Sequence, residues 1–114
     1  MSKPENEKLF RIAFLNHGKV YELFCKSVCS SGLWGFIEVS GLEFGDKDSL
    51  VVDPTDEKMR DEFDGVEVLH LPMHSVLRVE QVKKKGQAVI RDRKSGEKVT
   101  PFPVQPGGRT RPQG

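Results

Sequence analysis

The sequence predicts a mainly β domain carrying one short helix, folded as a small bent sheet or partly open barrel. Several short runs rich in β-branched and aromatic residues are punctuated by Gly, Pro, Asn and Ser, the pattern of strands and turns. One stretch only, near Pro54, carries helix start signals and helical spacing. A chain of 114 residues supports one core, because two would each be too small to stand alone. Five or six short strands laid flat would leave long edges exposed. An α+β sandwich is the competing architecture.

Leu9 to Leu15 reads as the first strand, with apolar groups on both faces. Asn16-His17-Gly18 has the composition of a hairpin loop with glycine in the left-handed position, so Lys19 to Val28 returns antiparallel. Ser30-Ser31-Gly32 is a turn signal, and Leu33 to Val39 follows as a third strand with Gly35 marking a bend. A loop over Gly45 to Asp48 leads to a fourth short strand, Ser49 to Val52. Asp53 is then an N-cap with Pro54 at the first helical position, and Met59 and Phe63 share one helical face. Asp56 and Glu57 suit the first turn and Gly65 closes the helix, predicted from Pro54 to Phe63. Val66 to Leu71 and Val76 to Val82 are two further strands joined by one tight turn, Pro72 to Ser75.

The character changes after Val82. Lys83-Lys84-Lys85-Gly86 is a charged break, and the last residues are dominated by proline and glycine, too poor in apolar surface to repay their ordering entropy. The expected organisation is a flexible N-terminus at 1–8, a globular domain at 9–82 and a basic, largely disordered tail at 83–114. Within that tail, Gln87 to Arg91 and Lys98-Val99 flank a turn and could form a marginal hairpin.

Charge follows the same division. Residues 1–82 hold nine Lys and Arg against fifteen Asp and Glu, whereas 83–114 hold nine against two. The acidic excess is concentrated between Glu43 and Asp64. Such halves can attract each other or different partners. No run approaches the ~20 apolar residues that cross a bilayer, and Met1 to Lys8 is polar throughout, so a cytoplasmic protein with no membrane partner is expected. In that reducing compartment Cys25 and Cys29 are expected as thiols.

Four segments, Leu15 to Leu23, Leu33 to Val39, Val51 to Pro54 and His70 to Val82, together resemble a family of small bacterial proteins known only as a domain of unknown function. The resemblance covers about Leu9 to Val82. It implies a bacterial cytoplasmic protein and brings no activity. The chain is also similar to the Sm-like small barrels of RNA chaperones, in ending on a strand, a tight turn and a final strand over Val66 to Val82. It departs from them in having no N-terminal helix and in the helical insertion at Pro54 to Phe63. That likeness favours a small Sm-like or SH3-like barrel.

Several residue clusters have the chemistry of a site. Cys25, Cys29, His70 and His74 are the residue types that hold zinc, but a four-residue step along a strand and a proline between the histidines suit it poorly, so no metal or other cofactor is expected. Asp46, Asp48 and Asp53 lack the glycine and terminal glutamate of a calcium loop. Glu22, Glu38, Glu67 and Glu80 fall on strands, where they mark the solvent side more often than a catalytic pair. No phosphate loop, nucleophile elbow or dinucleotide fingerprint is present, and no enzyme is expected. Tyr21, Phe24, Trp34 and Phe36 with Arg11, Lys19 and Lys26 could make a stacking platform, or could simply be core.

The basic end is the strongest functional signal. Lys83, Lys84, Lys85, Arg91, Arg93, Lys94, Lys98, Arg109 and Arg111 could neutralise phosphates of RNA or DNA, assisted by Trp34. The expected function is a non-enzymatic nucleic-acid-binding module. The alternative is a protein-interaction adaptor using the acidic helix region and the tail, and an uncovered edge strand would permit a homo-oligomer. On this reading truncation after Val82 removes affinity and spares the fold. The nucleic-acid role loses its basis should the end pack against the helix around Met59 with its cations neutralised there.

Overall fold

A computed structural model of the chain describes residues 8–45 and 53–101. Six strands make one antiparallel sheet: β1 (Leu9–Asn16), β2 (Lys19–Ser30), β3 (Phe36–Glu43), β4 (Val68–Pro72), β5 (Val76–Val82) and β6 (Val89–Asp92). The helix α1 (Pro54–Glu62) lies between β3 and β4 in the chain. The strands run in the order β4-β3-β2-β1-β5, and β6 pairs with β2.

β4 and β5 end opposite sides of this path, yet only the 3-10 turn Met73–Ser75 joins them. In a flat sheet they would stand roughly 19 Å apart at about 4.8 Å per strand, beyond the ~14 Å reach of the linking residues. The sheet must therefore curl, and because β4 and β5 do not pair it stays unclosed. This is the mainly β, bent and partly open architecture that the strand pattern predicts.

One hinge of the bend is readable residue by residue. Tyr21, Leu23 and Cys25 are buried at alternate positions of β2, but the next inward residue is Val28, three positions on. Across the ladder Cys25 faces Leu42 and Val28 faces Val39, so both strands change faces between those pairs. Gly41 sits at that step with φ of +69°, and a Cβ there would stand 2.9 Å from the Lys26 Cβ. The close approach and the left-handed backbone both call for glycine.

The β1–β2 connection is tighter than expected: Asn16 pairs with Lys19, and the loop is His17-Gly18, with φ of +54° and +76°. Two successive positive φ values match the right-handed strand twist that a two-residue hairpin requires. The helix begins as its sequence predicts. The Asp53 carboxylate accepts from the Thr55 N–H at 3.0 Å, Pro54 follows, and Met59 is fully buried. Met59 joins Ile12, Phe14, Leu23, Val39, Leu71 and Ile90 in one apolar core.

Three expectations need correction. Leu33 to Gly35 is not strand: Ser31 to Gly35 forms the β2–β3 turn, with the Phe36 N–H donating to the Leu33 carbonyl at 3.2 Å. Gly35 has φ of +82°, which a strand does not accommodate, and the apolar Leu33-Trp34 pair mimicked one. The strand after the helix starts at Val68 rather than Val66 and runs into Pro72. The fourth strand expected at Ser49 to Val52 lies outside the described residues.

The third correction concerns the domain end. The globular unit does not stop at Val82, because β6 pairs with β2 over Lys19 to Glu22, and Ala88 and Ile90 are core residues. The hairpin read as marginal is formed: the Val99 N–H donates to the Ile90 carbonyl at 2.7 Å, and Arg91 pairs with Lys98 through the backbone. Its turn is fixed by Asp92, whose carboxylate accepts from the Lys94 and Ser95 N–H groups at 2.8 and 2.9 Å. Two apolar residues at alternate positions, Ala88 and Ile90, are enough to anchor a short strand when its edge partner is already in place.

Candidate nucleic-acid interface

The route from β5 to β6 creates the surface of interest. β5 lies outside β1, whereas β6 lies on the far edge of β2, so residues 83–88 must cross both strands. They cross on the outer face, where Phe24 points away from the core residues Leu23 and Cys25. Gly86 sits over that ring, and a Cβ on Gly86 would be 3.3 Å from the Phe24 Cζ. The crossing buries Phe24 to 4% exposure. It also leaves Lys83, Lys84 and Lys85 exposed above the outer face.

Beside the crossing, alternate residues of four strands bring charges together. Arg11 on β1, Glu22 on β2, Arg78 and Glu80 on β5, and Arg91 on β6 surround Ala13 in an open cleft of 330 Å³. Arg91 Nε donates to Glu22 at 2.8 Å, and Arg11 Nε donates to Glu80 at 2.7 Å. Arg78 approaches the other oxygen of Glu80 at 3.5 Å. Three guanidiniums thus share two carboxylates. These pairs hold the arginines in place while leaving the cleft cationic.

The cations of the β6 hairpin extend this surface. Asp92 pairs with Lys19, so the turn carrying Arg93 and Lys94 lies at the β1–β2 end of the sheet. From Phe24 to Lys19 is five strand steps, roughly 17 Å. Lys83, Lys84, Lys85, Arg93, Lys94 and Lys98 are exposed and enter no ion pair among the described residues. Sequence reasoning names these cations but treats them as a separate tail. Arg78, which shares the cleft, escapes it, and Arg11 enters it only with the stacking platform, although the two stand on the same outer face of adjacent strands. Arg109 and Arg111 lie outside the described residues.

The segment after Val82 does pack beside α1, since Ala88, Ile90 and Val99 share the core with Met59. Its cations are nevertheless not neutralised there. Two of the four α1 carboxylates are engaged by other groups: Asp56 accepts from Arg60 at 3.2 Å, and Glu62 accepts from Tyr21 at 3.2 Å and Asn16 at 3.0 Å. Burial works to raise the Glu62 pKa, but hydrogen bonds from Asn16 and Tyr21 with the Lys58 ammonium outweigh it and hold the carboxyl below the ordinary value. Burial, together with the Glu62 charge, pushes the Tyr21 phenol up against the opposing effect of Lys58.

The stacking platform is not assembled. Tyr21 and Phe24 are buried on opposite faces of β2, and Phe36 is half-buried. Trp34 is 95% exposed at the β2–β3 turn, with Leu33 beside it. Exposed Met73 joins that end of the molecule, its N–H donating to the Gly35 carbonyl at 2.8 Å. Six strand steps separate Phe24 from Ser30, roughly 20 Å, so this apolar tip is a distinct surface from the cations.

The zinc-type residues do not converge either. Cys25 is in the core, where burial pushes its thiol up to about 11, and Cys29 is exposed on β2. His70 shares a 2.8 Å hydrogen bond with the Ser31 hydroxyl. Among the described residues no group of three His, Cys, Asp or Glu is arranged to hold a metal ion. No helix among them is long and apolar enough to cross a membrane.

Comparison with known proteins adds one match. A family model described as a domain of unknown function (DUF1820) matches residues 8–104. That span takes in the crossing segment and the β6 hairpin together with the sheet. No curated protein and no solved structure matches the chain.

Proposed function

Since the chain belongs to the DUF1820 family, whose description carries no activity, we propose a function from its surface: a non-enzymatic module of the bacterial cytoplasm that binds single-stranded RNA. The observation that carries this reading is the crossing of Lys83 to Gly86 over Phe24, on the face that also holds the cleft arginines. Cations fixed on a folded sheet lose less freedom on binding phosphates than cations on a loose tail. Affinity of this origin falls steeply with salt, because each neutralised phosphate releases counterions.

Anisotropy titration of labelled single-stranded RNA and DNA at low and moderate salt tests the reading. Binding at low salt that weakens as salt rises is the expected result, and no binding at low salt overturns it. Exposed Trp34, Leu33 and Met73 support a second reading, a protein adaptor that docks through this tip and the acidic helix. Trp34→Ala separates the two, since it abolishes adaptor capture and leaves salt-dependent RNA binding within about twofold.

A further inference from the structure

We infer that two copies of this chain associate through β5, pairing edge to edge in antiparallel register about Val79. β5 has β1 on one side and no strand on the other among the described residues. A free edge of seven residues presents unpaired backbone groups that another strand can satisfy. Leu77 at 52% and Val79 at 42% exposure lie along it.

The sequence of β5 selects one register. With Val79 opposite its own copy, Arg78 faces Glu80 of the other copy and Glu80 faces its Arg78. The match ends at Leu77, where the β1–β5 register shifts between Ala13 and Phe14. Both ion pairs fall on the outer face, because Arg78 and Glu80 lie opposite Ala13 and Arg11, which line the cleft there. Val79 of the two copies meets on the inner face opposite them, since Val79 pairs with buried Ile12. Moving the centre to Arg78 or to Glu80 sets like charges against each other, and a half-step turns the faces over. Charged edge residues and the irregularity beside Leu77, where the register shifts between Ala13 and Phe14, also serve to guard an edge. A purely protective edge has no need of a charge order that matches itself when reversed.

This goes beyond the proposed RNA role and does not depend on it. The dimer would join two cationic outer faces into one sheet, and its test uses no nucleic acid. Sedimentation equilibrium of the full chain at roughly 100 μM detects association with Kd up to about 1 mM, and wild type is expected to dimerise. Arg78→Glu alone and Glu80→Arg alone each place like charges opposite and are expected to weaken self-association at least about tenfold, equivalent to ~1.4 kcal/mol. Mixed together, the all-acidic and all-basic edges complement, and a one-to-one heterodimer is expected. Circular dichroism of each variant verifies the fold, and Val79→Lys, which spares the Arg11–Glu80 pair, replaces either one that fails to fold. A monomeric wild type, or a dimer indifferent to these variants, overturns the inference.

Discussion

Gly86 lies against the ring of Phe24 so closely that an added Cβ would meet its Cζ at 3.3 Å. This contact ties the crossing to the sheet and makes the basic segment part of the fold. The ring is buried on the outer face and lies outside the main core cluster. It has its own small shelter, and the chain that provides it is the chain that carries Lys83 to Lys85.

Removing either anchor of the crossing should therefore cost the domain. Phe24→Ala is expected to lose about 3–5 kcal/mol and Ile90→Ala about 2–5 kcal/mol of unfolding free energy, read from denaturant midpoints. Truncation after Val82 removes Ala88 and Ile90 together and is expected to abolish cooperative unfolding. That outcome reverses the sequence expectation that the same truncation would spare the fold.

Gly41 is where β2 and β3 change faces. Gly41→Ala must hold a left-handed backbone and push its Cβ against Lys26, with 2.9 Å between the two Cβ positions. A loss of about 1–3 kcal/mol is expected, measured by thermal or chemical unfolding. Gly32→Ala, at a turn position with open space around it and no positive φ, serves as the matched control and should change stability by less than about 1 kcal/mol.

The two thiols should differ sharply in reactivity. Cys25 is fully buried with its pKa pushed up to about 11, whereas Cys29 is exposed. Only the thiolate reacts, so a thiol reagent near pH 8 is expected to label one cysteine in the native protein and both after denaturation. Peptide mapping should assign the native label to Cys29.

Acid should weaken the contact between α1 and the β1–β2 hairpin. The folded-state pKa of Glu62 is held below the ordinary value of 4.5. Its contribution is therefore complete above the unfolded value and is lost as pH falls through the folded one. Asn16, Tyr21 and Lys58 donate to this carboxylate, and His17 Nε2 stands 3.7 Å from it. Glu62→Gln is expected to destabilise the protein at neutral pH, with the difference from wild type shrinking as pH drops below about 4.5. Unfolding curves across that range give the measurement.

The sequence made the architecture legible wherever local chemistry and tertiary packing agree. Asp53-Pro54 announces the helix start, and Pro72 to Ser75 announces the tight turn, because capping and proline geometry are local rules. Trp34 misled for the opposite reason: hydrophobicity reads as burial, and only the positive φ of Gly35 reveals a turn. The break at Lys83 suggested a domain boundary, since charge and glycine look the same in a linker and in a crossing strap. What distinguishes them is Phe24, a large residue on the outward phase of a strand whose cross-strand neighbours, Arg11 and Glu43, are charged. The candidate surface was legible as a set of cations. Its placement depended on β6 reaching β2 from roughly 70 residues away in the chain, which no local pattern encodes.

Lys83, Lys84 and Lys85, set on the sheet by the crossing, are proposed to bind phosphates. The most direct measurement compares the salt dependence of single-stranded RNA binding between wild type and the triple variant Lys83→Ala, Lys84→Ala, Lys85→Ala, with matching circular dichroism spectra as the condition. Weaker binding is expected, with a log–log salt slope shallower by about 2, near 0.7 for each phosphate that is no longer neutralised. An unchanged affinity and slope in the folded variant would contradict it.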